Sequence, residues 1–264
     1  MSDRTIPADG IGMHLYTMRE PLAADYPGTL RGLAEIGYRT IGVSGRFGHS
    51  AREIRAFADD TGLGIVLEHV GYNRLSEDWE GALADVRTLG GEWIVVPSLP
   101  AELRTPDGFR TAAAAFNEAG QAARKEGLKL LFHNHGHDFD EVDGQVLFDI
   151  LLDEVEPDLL GFEFDLYWAV NGGKDPIEYF AKYPGRFPAL HVKDMAADGS
   201  FEDVGAGPAR LPGDLRPRRA RRRTAVAGRA RRTDRPVGLR PDELSIIGRN
   251  ALLTGEAGEI GYRL

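Results

Sequence analysis

Six of the seven histidines fall at or just past the ends of short apolar runs, each beside another polar residue. His14 and Tyr16 close the run at 11–16, and Glu68 and His69 close 64–70. His133, Asn134 and His135 follow 128–132, Glu163 and Asp165 lie in 160–166 with Tyr167 and Trp168 after them, and His191, Lys193 and Asp194 end 187–192. In an extended chain alternate residues share a face, so His133 and His135 point one way and Asn134 the other. Asp165 and His191 follow apolar residues and should be buried or in a mouth. A buried charge needs a partner or a metal. Imidazole with carboxylate suits Mn, Fe, Co or Zn, and such an ion polarises a carbonyl and stabilises an enediolate. A strand-end histidine can equally be a hydrogen-bonded residue of the mouth, Tyr167 and Trp168 can be core, and Lys193 with Asp194 can be a surface ion pair.

The segments between these runs have helical character. Residues 26–36 place Leu30, Leu33 and Ile36 on one face, and Gly37 ends the pattern. Ser50 and Glu53 have the spacing of a capping box that opens a helix to about 61. Residues 79–89 and 146–155 are helical, as are 105–126, begun by Thr105-Pro106, and 175–183, begun by Asp175-Pro176. With further strands at 39–43 and 93–97, seven strand–helix units succeed one another, which calls for a parallel sheet. No glycine fingerprint follows the first strand, against an open dinucleotide-binding sheet. A (β/α)8 TIM barrel fits the count, and its chemistry belongs at the C-terminal ends of the strands, where these polar residues fall.

Composition bounds the alternatives. The 264 residues are 42% hydrophobic and 28% charged, so the chain can build a globular core. There is no cysteine, which excludes a disulfide scaffold, a thiolate zinc site and a cysteine nucleophile. No apolar run approaches a membrane-spanning length, and MSDRTIPADG lacks the hydrophobic stretch of a signal peptide, so we expect a cytoplasmic protein with no membrane partner. The net charge is -9, yet residues 210–240 hold twelve Arg against Asp214 and Asp234, leaving about -19 on the remainder. An acidic body would repel phosphates, and the Arg run lacks interleaved aromatics, so nucleic acid is not the expected partner.

The strings IGMHLYTMRE, FHNHGHDF, FEFDLYWAVNGGKDP and GRFPALHVKDM resemble the sugar phosphate isomerase/epimerase family of xylose isomerase-like TIM barrels, over residues 10–207. The resemblance implies a divalent metal, commonly Mn, Mg or Co, held by a strand-five residue, a strand-six Asp, a strand-seven His and a strand-eight Glu. Asp165 and His191 match directly; at strand five either His133 or His135 takes the place of a Glu. It implies a sugar or sugar phosphate substrate, isomerisation or epimerisation with dehydration or lyase chemistry as the alternative, and a possible homo-oligomer. His69, Lys193 and Glu68 are then the expected catalytic groups, and His14, Tyr16, Trp168 and Asn134 the expected substrate contacts.

The resemblance stops after Val204–Gly207. Residues 208–264 are expected to form a separate, poorly ordered Arg-rich segment after a barrel at 1–207, because their apolar residues follow neither the helical nor the strand period. With synonymous codons chosen for the purpose, a one-base shift turns 228–245 into VEHDERTDPSASARTSY and 208–218 into RLDYPATFAHA, both like the missing end of the family. A frameshift near 207–208 would leave the barrel without its eighth parallel strand and that strand's Glu, with two sheet edges exposed.

Overall fold

The computed structural model describes residues 11–202 and 251–254. Its centre is a closed barrel. Seven strands run in chain order: β1 (Ile11–His14), β2 (Thr40–Val43), β3 (Gly64–His69), β4 (Trp93–Val96), β5 (Lys129–His133), β6 (Gly161–Asp165) and β7 (Ala189–Val192). Neighbours from β1 to β7 pair in parallel. Each connection carries helix, which packs outside the ring as parallel crossovers require.

Local chemistry sets these elements. Ser50 and Glu53 form the capping box, and Ala51–Thr61 follows it to a left-handed Gly62. Thr105 accepts from the Gly108 N–H at the head of Pro106–Lys125, and Asp175 caps Pro176–Lys182 in the same way through the Ile177 N–H. Asp25 and Asp78 do the same for Tyr26–Ile36 and Trp79–Leu89. The short helices Arg19–Ala24, Arg74–Glu77 and Leu166–Asn171, and the hairpins Glu141–Val142 with Gln145–Val146 and Asp194–Met195 with Phe201–Glu202, were not expected from sequence pattern.

The ring closes differently from the expectation of two exposed edges. A strand β8 (Ala251–Thr254) lies between β1 and β7 and runs antiparallel to both. Both edges are therefore paired: Ile11 faces Leu253, and Leu252 faces His191. The eighth position is filled without an eighth parallel strand, and its sequence, Ala-Leu-Leu-Thr, contains no carboxylate or imidazole. The expected disorder of 208–264 otherwise falls outside the described residues.

Alternation divides each strand between two environments. Phe132, Phe162, Phe164, Leu190 and Val192 join the helices in the largest apolar cluster. Between them, Leu67, Trp93, Val95, Leu131 and Ala189 fill the barrel interior. Gly161 completes that floor: a Cβ there would lie 2.8 Å from Leu131 Cδ2. Two residues beyond these floor positions, on the same face, stand His69, His133, His191 and Glu163.

Candidate metal centre

Four imidazoles and two carboxylates converge above this floor. His14, His133, Glu163, Asp165 and His191 are each at most 3% exposed, and the His69 side chain is nearly as buried. Glu163 is central. Its Oε2 lies 2.6 Å from His69 Nε2 and 3.1 Å from His133 Nδ1. Asp165 Oδ2 lies 3.4 Å from His191 Nδ1 and 3.8 Å from His133 Nε2. Three sets of ligand atoms lie within 4.8 Å of one another: His14, Glu163 and His191; His69, His133 and Glu163; His133, Asp165 and His191.

Asp165 is held rigidly. Its Oδ1 accepts the Trp168 N–H at 3.0 Å, opening the short helix Leu166–Asn171. Its backbone is clasped by Asn134, whose Oδ1 accepts the Asp165 N–H at 2.8 Å and whose Nδ2 donates to the Asp165 carbonyl at 3.1 Å. Lys193 Nζ sits 2.7 Å from Asp165 Oδ2.

The hydrogen bonds of this cluster do not close. His14 Nδ1 accepts from the Tyr16 N–H, so a neutral His14 ring carries its hydrogen on Nε2, aimed at His69 Nε2 3.0 Å away. His69 Nε2 must then accept, and it faces the Glu163 carboxylate, another acceptor, at 2.6 Å. Every other tautomer assignment leaves one contact pairing like with like, because each neutral imidazole has one donor and one acceptor. Glu163 Oε1, His133 Nδ1 and both His191 nitrogens are buried with no aligned hydrogen-bond partner among the described residues. Unpaired buried polar atoms are costly. Nitrogen and carboxylate donors in this number fit a borderline divalent cation.

The electrostatics agree with ligand roles. Burial holds His14 well below the ordinary histidine value, with His69 next in effect. Burial does the same at His191, followed by the charge of Lys193. Burial alone would raise Glu163, but His69 and His133 beside it outweigh that and hold the carboxyl well below its usual range. A neutral His14, a neutral His191 and an ionised Glu163 are the protonation states a metal requires.

The residues singled out in the sequence distribute unevenly. His133, Asp165 and His191 come together as one donor set, and His14 and His69 join through Glu163. His135, expected as an alternative ligand, belongs to none of the three sets. The strand ends at His133, so alternation no longer governs His135. Its ring lies beside His137 and Trp168, 5.6 and 5.4 Å between centroids, and burial, followed by His133, lowers it to about 2.

Two expectations are corrected. Glu68 does not stand with His69. Adjacent residues of β3 face opposite ways, and Glu68 points to the helix layer, where Arg46 binds both its oxygens at 2.6 and 2.8 Å. Asn134, expected to touch substrate, is instead engaged with the Asp165 backbone. Trp168 flanks the Lys193 ammonium at 5.8 Å, and Tyr16 is 57% exposed with Arg19 over its ring. Glu163 was visible as a strand-six carboxylate but not as a site residue. Its signal was the two-residue spacing from Asp165.

Residues 30–214 match the family described as the xylose isomerase-like TIM barrel. The chain belongs to this family. Curated relatives include the inosose dehydratase of Geobacillus kaustophilus, 24% identical over 212 residues, which cover 72% of this chain and 65% of the relative. That of Clostridium perfringens is 28% identical over 124 residues, 42% of this chain and 41% of the relative. The chain thus spans less than two thirds of the length of either. Among solved structures, a sugar phosphate isomerase/epimerase from Parabacteroides distasonis superposes with a TM-score of 0.65 at 27% identity, covering 72% of this chain and 80% of that one. The IolI protein, solved with a bound zinc atom, has a TM-score of 0.62 at 15% identity, covering 77% and 83%; that likeness is one of fold alone. Among the described residues no helix is long and apolar enough to cross a membrane.

Proposed function

We propose that the chain is a divalent-metal-dependent enzyme that removes the proton next to the carbonyl of a sugar or a sugar-like cyclic polyol. The observation that carries this reading is the buried donor cluster whose hydrogen bonds cannot be satisfied internally. His133, Asp165 and His191 would hold the ion, with Glu163 and His14 completing its surroundings. Mn, Co or Zn suits these donors, and Mg is favoured less by so many imidazoles. The ion would supply positive charge against the enediolate oxygens.

The remaining steps belong to the protein. His69 is placed to take the proton, because Glu163 beside it stabilises the imidazolium that results. Among the described residues Lys193 offers the one ammonium beside the cluster to a substrate oxygen. Trp168 supplies a flat wall for the carbon skeleton, and the apolar floor closes the barrel below. Return of the proton to the neighbouring carbon gives isomerisation. Expulsion of a hydroxyl one carbon further, which takes up the proton held by His69 and leaves as water, gives dehydration, which the names of the curated relatives favour. Among the described residues Glu163 is the one glutamate of the donor sets, which speaks against the two-glutamate shuttle of an epimerase.

The proton step is common to every outcome, so it is the one to test. With Mn2+ present, deuterium from D2O should enter a keto-inositol or ketose next to its carbonyl, and His69→Ala should abolish that exchange. Absence of both exchange and water loss with every such substrate, in a chain that holds the metal, contradicts the reading. Loss of water from the keto-inositol selects dehydratase over isomerase.

A further inference from the structure

One oxygen of Asp165 faces the donor cluster. Its backbone is bound by Asn134, and its Oδ1 by the Trp168 N–H. Oδ2 is the oxygen that faces the imidazoles, 3.4 Å from His191 Nδ1 and 3.8 Å from His133 Nε2, and this atom is claimed twice. It belongs to the donor set with His133 and His191, and it lies 2.7 Å from the Lys193 ammonium. Two cations drawn to one oxygen at short range repel each other strongly in a buried setting.

Of the two partners in this ion pair, Asp165 is fixed and Lys193 is the flexible one. Lys193 stands two residues past His191, at the start of the hairpin Asp194–Met195 with Phe201–Glu202. That hairpin is tied down where Tyr167 Oη donates to the Gly199 carbonyl at 2.7 Å. It places the Phe201 ring 5.5 Å from Lys193 Nζ, and Trp168 lies 5.8 Å away on the short helix. These are distances to the ion-paired ammonium, so the two aromatic rings already border it and stay beside it when it leaves the carboxylate. The side chain is 11% exposed, so it is not sealed from solvent.

We propose that Lys193 is a built-in competitor for the metal: its ammonium holds Asp165 Oδ2 until a divalent ion takes that oxygen, and is then released, still beside Trp168 and Phe201, to meet the substrate. Metal loading and substrate recognition are thereby linked through one side chain. The inference rests on the metal-dependent reading of the site and adds an order of events to it. It differs in sign from a purely supporting role. A lysine that only steadied Asp165 would help the ion bind, whereas a competitor opposes it.

The test uses the full chain and Mn2+ alone, titrated by calorimetry and by the signal of free Mn2+ in electron paramagnetic resonance. Lys193→Met keeps the apolar stem and removes the charge. It should bind Mn2+ about tenfold more tightly than the parent, or better. A second measurement needs no variant: labelling of Lys193 by an amine-reactive reagent, read by mass spectrometry, should quicken when Mn2+ saturates the protein. Equal or weaker Mn2+ binding by the variant, or labelling unchanged by Mn2+, overturns the competitor role while leaving the metal site standing. Mn2+ binding by neither protein overturns both.

Discussion

The barrel closes through two kinds of seam, and among the described residues one of them gathers the donor side chains. Along β5, β6 and β7 the strands run in parallel, so their C-terminal ends meet at one mouth and deliver His133, Glu163, Asp165 and His191 to a common point. Across the ring, β8 joins β7 to β1 in the opposite direction. At its mouth end Ala251 faces Met13 and Val192, so this strand begins where its neighbours end. The backbone ladder accepts either direction, since antiparallel pairing is as sound as parallel. A site built from strand ends does not. Closing the sheet and furnishing the site are separate demands on a barrel, and here β8 meets the first alone.

This contrast can be broken from either side. The largest effect is expected at the parallel seam. Glu163→Gln removes a buried charge shared by two donor sets and should weaken Mn2+ binding by more than about a hundredfold, since even outer partners of a ligand cost ten- to a hundredfold. Asn134→Ala leaves every donor in place and frees only the Asp165 backbone. It should cost about tenfold to a hundredfold in the same titration. An equal loss in both variants would mean that positioning, rather than donor charge, limits the site. At the antiparallel seam the expected pattern reverses. Leu252→Pro interrupts the ladder and should lower stability by about 1–3 kcal/mol, read as a lower melting temperature, with Mn2+ affinity changed less than about tenfold. A large loss of affinity in this variant would show that β8 shapes the site as well as the sheet.

The smallest effect concerns Asp138, whose Oδ2 accepts the His135 N–H at 2.7 Å. Burial raises its carboxyl to about 7, against the lowering effect of that hydrogen bond. The folded chain therefore binds this proton more tightly than the unfolded chain. The stability it contributes is complete below the ordinary Asp value and is lost as pH rises from about 4 to about 7. Asp138→Asn keeps the acceptor and removes the charge. It should melt a few degrees higher than the parent near pH 8, with the gap shrinking near pH 5. A constant gap across that range would contradict the assignment.

Sequence pattern revealed the parallel strands and major helices because each rests on local signals: apolar runs, the Ser50–Glu53 box, and the Thr105 and Asp175 caps. It revealed Asp165 and His191 for a similar reason, as polar residues ending apolar runs. Three things needed the third dimension. The centrality of Glu163 depends on β6 lying between β5 and β7, which no single strand records. The outward turn of Glu68 depends on which residue of the Glu68–His69 pair faces the interior, and Arg46 in a distant loop settles it. The placement of β8 depends on pairing across the whole chain, and its four residues carry no signal of direction.

The central claim is that the parallel strand ends form a divalent cation site. Calorimetric titration of the full chain with Mn2+ tests it most directly, beside Asp165→Asn as the variant that keeps the shape of the ligand and loses its charge. Saturable binding by the parent and its loss in the variant are expected. Absence of binding by the parent, or equal binding by both, would contradict the claim.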